Sequence, residues 1–435
     1  MSELPLFDAI KRHLAENRSR FHTPGHSGRT ASLYPLSGIL PYDLTEIGEL
    51  DSLYEATGVI AESEVLAARV FGSYSTLFSA GGATLCIQAM LSLAAKPGDK
   101  VLFSRNLHRS AINACALLDI HPVFAYPGQN GRIPPEEINR LLASADISAV
   151  YLTSPDYYGR LQSISEIAAI CEIHNLPLLV DNAHGSHLIF FDMHPLTLGA
   201  EMTACSAHKT LPVLTGGAYL NLRGQRFAAG AKSAMAVFGS TSPSYPVLLS
   251  LELCRDWCEK EGRNAFSRLK SKVDAVRHEA VRQGFRFETE LTDPVRLRFD
   301  TGALGIDARQ AAAVFLAHGV QPELADRSNV VFIPTPFHTE EDFSHLCSAV
   351  KCLNPLGHTH RQSPPPRPET VLPVREAAFA AWEFISVKNS AGRVAAGAVC
   401  PCPPGIPLII PGEKIDGDVI LHLLGSGIET VKVVK

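Results

Sequence analysis

The sequence predicts an α/β protein: a doubly wound, mostly parallel sheet, a smaller α/β domain and a small C-terminal domain. Three observations predict it. From about residue 61 to 245, short apolar runs alternate with helical patterns, as strand–helix–strand units require. One run, Leu176-Pro177-Leu178-Leu179-Val180, has no polar interruption, as a strand buried on both faces demands. It ends in Asp181-Asn182-Ala183-His184-Gly185, where a loop must begin. Gly81-Gly82 stands directly before a further periodic segment, where a tight turn opens a helix. With 435 residues, 46% of them hydrophobic, the chain can bury a large core and holds two or three domains.

The elements follow in order. Residues 1–60 form an N-terminal arm, with a short amphipathic helix around Leu6 to Leu14 and a loop-rich stretch through His22-Thr23-Pro24-Gly25-His26. Residues 61–245 form the large domain. There Ala61 to Phe71 and Thr84 to Ala95 read as helices. Val101 to Phe103, Val123 to Tyr126, Ala149 to Leu152 and Leu178 to Val180 read as strands. Residues 246–361 form the smaller α/β domain, with one long helical pattern from Val247 to Gln283 and strands at Val295 to Phe299 and Val330 to Ile333. Gln362-Ser363-Pro364-Pro365-Pro366-Arg367-Pro368 reads as a stiff linker, and residues 369–435 as the C-terminal domain.

Composition excludes several classes. A net charge of −5 with mixed signs argues against nucleic acid as a partner. No apolar run is long enough to span a membrane, and the N-terminus lacks the basic start and apolar core of a signal peptide. Ten cysteines show neither a CxxC pair nor a zinc spacing, so no metal site is expected, and free thiols fit a reducing, cytoplasmic setting.

The chemistry is concentrated in Ser206-Ala207-His208-Lys209-Thr210. Apolar and small residues flank Lys209 on both sides. A desolvated lysine loses its charge easily and attacks carbonyl carbon, and the best-known use of such a residue is a Schiff base to pyridoxal phosphate, PLP. A helix-end lysine with its ammonium snorkelled to water is the plainer reading. Asp181 decides between them. An aspartate at the carboxyl end of a buried parallel strand sits where such sheets bind ligands, and it can pair with a protonated pyridine nitrogen. Ala183 is small enough for a ring to lie against it. The helix that opens at Gly82-Ala83-Thr84 offers N–H groups and a dipole to a phosphate, and Thr84 adds a hydroxyl.

Further segments stand in a definite order: His22-Thr23-Pro24-Gly25-His26, Asp43-Leu44-Thr45-Glu46, Arg105-Asn106-Leu107-His108-Arg109-Ser110 and Thr153-Ser154-Pro155-Asp156-Tyr157-Tyr158-Gly159. Gly392-Arg393, Pro403-Pro404-Gly405-Ile406-Pro407 and Pro411-Gly412-Glu413 follow. With the Asp181 and Lys209 segments they resemble the Orn/Lys/Arg decarboxylase family, PLP enzymes of the aspartate aminotransferase (fold type I) architecture. The large N-terminal wing domain of longer relatives has no counterpart, so assemblies resting on it are expected to be absent.

The resemblance implies roles. Lys209 would carry PLP, Asp181 would hold the ring nitrogen, His108 would stack on the ring opposite Ala183, and His208 or Lys209 would return a proton to Cα. Gly82, Ala83, Thr84, His184, Ser206 and His208 complete the implied cofactor-binding set. The implied reaction is decarboxylation of arginine, lysine or ornithine by a homodimer or higher homo-oligomer. Glu46, Glu49, Asp51 and Glu323 are candidate acids for the cationic end of the substrate.

Several positions depart from the family pattern: Ala83 for a hydroxyl residue, Asp156 for threonine, Gly216 for glutamine, Leu50-Asp51-Ser52-Leu53 for a more acidic run, Gly397 for glutamate or asparagine, and Cys402 for tyrosine. They keep two alternatives open. One is transamination or aldol-type cleavage on the same scaffold, with Arg298 or Arg393 clamping the α-carboxylate. The other is a non-catalytic PLP-binding relative.

Overall fold

The computed structural model describes residues 3–29, 33, 35–353, 366–401 and 405–435. Cys402, Pro403-Pro404 and residues 362–365 of the proline-rich stretch lie outside the described residues. The main sheet contains β1 (Ser75–Ser79), β2 (Lys100–Ser104), β3 (His121–Ala125), β4 (Ala149–Thr153), β5 (Leu178–Asp181), β6 (Met202–Cys205) and β7 (Ala218–Leu222). Its seven strands run in the order β1-β7-β6-β5-β4-β2-β3. β2 is parallel to β3 and β4, and β5 to β6, whereas β7 is antiparallel to both β6 and β1. The α/β class and the mostly parallel sheet stand. A second, antiparallel sheet has the order β8-β10-β9, from β8 (Leu297–Asp300), β9 (Leu324–Ala325) and β10 (Asn329–Phe332). β11 (Trp382–Ser386) and β12 (Thr430–Val434) form an antiparallel pair. Among the described residues no helix is long and apolar enough to cross a membrane.

Two compact units result: residues 1–94 with 177–265, and residues 95–176 with 266–435. In the first, β1, β6 and β7 carry polar residues that conceal them from an apolar-run search. Thr76 Oγ1 donates to Asn221 Oδ1 at 2.7 Å, and Asn221 Nδ2 donates to Thr203 Oγ1 at 3.2 Å. These side chains are fully buried, and a satisfied network of this kind fixes strand register. The N-terminal helix Pro5–Ala15 buries Leu6 and Ile10, and its first N–H groups, which lack intrahelical acceptors, find one elsewhere. Leu6 N and Phe7 N each donate to the Glu252 carboxylate at 2.8 Å.

The long helix expected from Val247 to Gln283 is divided. It runs as Tyr245–Trp257, one π turn Cys258–Gly262, and Arg263–Arg282. Gly262 closes the π turn against the Phe190 ring, which leaves no room for a Cβ. Such turns are a known source of local helix bending. In the second unit, Phe299, Phe315 and Phe332 pack as a cluster, with Phe315 and Phe332 centroids 4.7 Å apart. The C-terminal segment folds around Val387, Ile409, Ile415, Leu423 and Val433, all fully buried.

His194 gives the first unit a measurable pH response. It is wholly buried, its Nδ1 accepts from Leu196 N at 3.3 Å, and burial pushes its imidazole from 6.5 down to about 3. Between those values the unfolded chain binds a proton that the native state refuses, so acidification destabilises the fold. The slope is about 1.4 kcal/mol per pH unit. Denaturant titrations of wild type and His194→Gln from pH 7 to pH 4 should show the variant losing about one proton of that dependence. Parallel curves would exclude His194 as the source.

Candidate active site

The candidate site in the first unit begins where β5 stops. Asp181 is the last residue of β5, is 2% exposed, and its Oδ1 accepts the Ala183 N–H at 3.1 Å. Asn182 anchors the turn beyond it, donating its N–H to Ala204 O at 2.9 Å and Nδ2 to Cys205 Sγ at 3.2 Å. That anchoring fixes where Ala183 and His184 fall. Buried His184 places Nε2 at 2.9 Å from Lys209 Nζ.

Lys209 lies on the one-turn helix Ala207–Thr210, which follows β6 and is preceded by buried Ser206. The register of β5 with β6 sets Asp181 opposite Ala204, and this brings the ends of both strands together. His208 is tied at two atoms: its N–H reaches Gly217 O at 3.4 Å, and Nδ1 lies 3.1 Å from the same oxygen. A carbonyl only accepts, so Nδ1 carries the proton and Nε2 is the basic atom of the neutral ring. Burial lowers the His208 pKa, and the Lys209 charge lowers it further, so the ring is held neutral.

The turn after β1 supplies the remaining part. The helix Gly82–Ala94 starts there. Gly82, at φ +71°, donates its N–H to Gly216 O at 2.8 Å, and Gly216 itself has φ +94°. Glycine enters that region without the strain other residues meet. Ala83 is buried, while Thr84 is exposed. Thr210 Oγ1 is buried without a hydrogen-bond partner.

This donor set fits PLP. An amine for an aldehyde (Lys209), a buried carboxylate for a ring nitrogen (Asp181), a helix N-terminus for a phosphate (Gly82) and an unused hydroxyl (Thr210) all belong to one unit.

Other expected residues belong to the second unit. His108 is the N-cap of the helix Arg109–Leu118, where its Nδ1 accepts from Ser110 N at 3.2 Å. Asp156 holds a turn: Oδ1 accepts from Tyr158 N and Arg160 N, each at 2.9 Å. Burial raises its pKa and the Arg160 charge opposes that. Arg298 lies 3.5 Å from Glu288 and 3.8 Å from Asp300. Arg393 donates to Glu383 at 2.8 Å and to Val434 O at 2.7 Å. Glu323 accepts from Tyr157 OH. Gly397 has room: a Cβ there would stand 3.4 Å from the Lys432 side chain.

The acids of the arm, in the first unit, are engaged as well. Asp51 takes N–H groups of Ser52, Thr57, Gly58 and Ile60 at 2.9–3.1 Å, which fixes the loop before the helix Val59–Phe71. Glu49 pairs with Arg12 at 3.2 Å, and Glu46 accepts from Ser52 Oγ at 3.3 Å. The contact of His184 with Lys209 and the Gly82–Gly216 pairing were not foreseen. The Gly216-Gly217 dipeptide after Lys209 was the available signal for the second.

Comparison with known proteins agrees with this geometry. The family described as Orn/Lys/Arg decarboxylase, major domain, matches residues 4–295, and its C-terminal domain matches residues 363–426. An arginine decarboxylase of Halalkalibacterium halodurans is 31% identical over 95% of this chain and 91% of its own length. The lysine decarboxylase of Francisella novicida superposes with a TM-score of 0.83 at 20% identity, covering 99% of this chain and 81% of that one. An alanine–glyoxylate aminotransferase from Nostoc sp. superposes with a TM-score of 0.57 at 17% identity, over 67% of this chain and 85% of that one, and shares the fold alone. The chain therefore belongs to the Orn/Lys/Arg decarboxylase family, as a PLP-dependent amino-acid decarboxylase of fold type I.

Proposed function

We propose that the protein converts a basic L-amino acid to its amine and CO₂, with arginine the first candidate and lysine and ornithine the others. Relatives named as arginine decarboxylases support arginine. The observation that carries the site assignment is Lys209 Nζ at 2.9 Å from His184 Nε2, on the strand end that Asp181 closes.

PLP, once bound, supplies an electron sink for the pair left on Cα when the carboxylate departs. The protein supplies position and protons. His184 Nε2 accepts a hydrogen bond from Lys209 Nζ and so directs the amine. Asp181 would pair with the protonated ring nitrogen of PLP. The helix start at Gly82, with Ala83, Thr84 and Ser206, would hold the phosphate. His208, with Nδ1 locked on Gly217 O, presents Nε2 as a base of fixed orientation beside Lys209, and one of the two returns a proton to Cα. By the family resemblance, His108 and Ala183 would flank the ring. A homodimer is the assembly proposed. The arm leaves the apolar side chains of Phe21 and Leu36 exposed, which is consistent with association.

The transaminase reading is weakened by the arginines offered for it, since Arg298 and Arg393 each lie against carboxylates of their own unit. Product analysis with arginine, lysine and ornithine separates the readings: CO₂ with the matching amine supports decarboxylation, and a keto acid supports transamination. Lys209→Ala should lose the visible Schiff-base absorbance and CO₂ release together, and normal turnover in it would remove Lys209 from the chemistry. His184→Phe should slow formation of the PLP chromophore in apoprotein by about tenfold, the effect of one lost hydrogen bond, while His184→Gln recovers most of it. An unchanged rate in His184→Phe would show that Lys209 needs no acceptor there.

A further inference from the structure

The C-terminal motif Gly405-Ile406-Pro407 to Pro411-Gly412-Glu413 lies far in sequence from the Lys209 segment, and nothing in the reaction as described uses it. The structure gives it a location. Arg105 is 4% exposed and Glu413 is fully buried, and Arg105 Nη2 reaches the Glu413 carboxylate at 3.2 Å. Arg105 Nη1 donates to Pro407 O at 2.8 Å, and its guanidinium carbon lies 5.3 Å from the centroid of the Phe124 ring. Glu413 also accepts the Ile410 N–H at 2.8 Å, which closes the motif on itself. One arginine thus grips both ends of the segment.

Three residues beyond Arg105 stands His108. Its neighbour Arg109 donates its N–H to Gly405 O at 3.3 Å. Gly405 has φ +75°, and a Cβ there would lie 3.0 Å from His108 Cδ2 and 3.1 Å from Nε2. Few real Cβ contacts are so close, so a side chain at 405 requires the ring to give by a few tenths of an ångström. The opposite edge of the imidazole is held by Ser110, whose Oγ is 2.9 Å from Nδ1. The ring therefore has one edge hydrogen-bonded and the other against bare backbone.

We propose that Gly405 is a positioning residue for His108, and that the Arg105–Glu413 pair holds the C-terminal segment in place so that Gly405 can act. The segment sets the plane of the imidazole by leaving it only one place to lie. This rests on the reading of His108 as a face of the PLP site, and the experiment separates the two.

The test compares wild type, Gly405→Ala, His108→Ala and the double variant. In apoprotein, carbethoxylation of His108 by diethylpyrocarbonate is followed by peptide mass spectrometry. Gly405→Ala should raise that rate several-fold, because a displaced ring frees Nε2; an unchanged rate overturns the proposal. PLP affinity is then titrated by chromophore absorbance. Each single variant should bind on the order of tenfold more weakly, and the double variant no more weakly than His108→Ala alone, as coupled contacts behave. Multiplicative losses would mean that Gly405 acts elsewhere, and the proposal fails. Unchanged affinity in His108→Ala, with altered carbethoxylation in Gly405→Ala, would retire the ring-face reading and leave the positioning intact. If Gly405→Ala does not fold, the double variant decides. Folding restored by removing the imidazole supports the contact, and no restoration overturns it.

Discussion

The hydrogen bond from Gly82 N–H to Gly216 O, 2.8 Å long, fixes the distance between the two parts of the candidate site that must work together. One end is the start of the helix Gly82–Ala94, and the other is the loop that leaves Lys209. That loop is held at both ends. Its beginning is set by the pairing of β5 with β6, and its end by Gly216 and by Gly217, whose carbonyl takes His208. Neither the amine nor the helix start can drift without breaking a backbone bond. Both residues of the bond need positive φ, so a side chain at either would strain this link. A cofactor with a phosphate at one end and an aldehyde at the other requires this kind of fixed spacing.

Buried charge serves the same purpose elsewhere. Glu64 accepts from Lys232 and from Phe78 N, Glu252 from the start of the N-terminal helix, and Glu413 from Arg105. In each, burial drives the carboxyl pKa upward and the partners pull it back. Desolvation consumes much of what such pairs return, so their net stabilisation is small. What they contribute is address. Each joins segments far apart in sequence with a geometry that apolar packing would leave loose.

Legibility of the fold in the sequence follows from these same facts. β5 was legible because Leu178, Leu179 and Val180 form an uninterrupted apolar run. β1, β6 and β7 were not, because Thr76, Thr203 and Asn221 answer one another across strands, and no linear pattern records a cross-strand hydrogen bond. The helix after Tyr245 was seen as one piece, since a five-residue π turn barely disturbs the 3.6-residue period. In the site, Lys209 and Asp181 announced themselves by local context. The His184–Lys209 contact did not, because it depends on how two strand ends meet. Asp156 stood out in the sequence as a departure from the family pattern, and its carboxylate takes the N–H groups of Tyr158 and Arg160 in the turn. A motif shows which residue type is present, but not where its hydrogen bonds go.

The disposition of the arginines bears on the choice among reactions. A guanidinium that grips the α-carboxylate stabilises the bound amino acid more than a transition state in which that charge is leaving as CO₂. Such a clamp would slow decarboxylation while aiding transamination. The two arginines considered for it, Arg298 and Arg393, face carboxylates of their own unit. Arg298 lies 3.5 Å from Glu288 and 3.8 Å from Asp300, and Arg393 is held by Glu383 and Val434 O. Freeing either of them would leave a buried or half-buried acceptor without its partner, at a cost of about 1–3 kcal/mol for each group stranded. A substrate carboxylate would have to repay that before gaining anything.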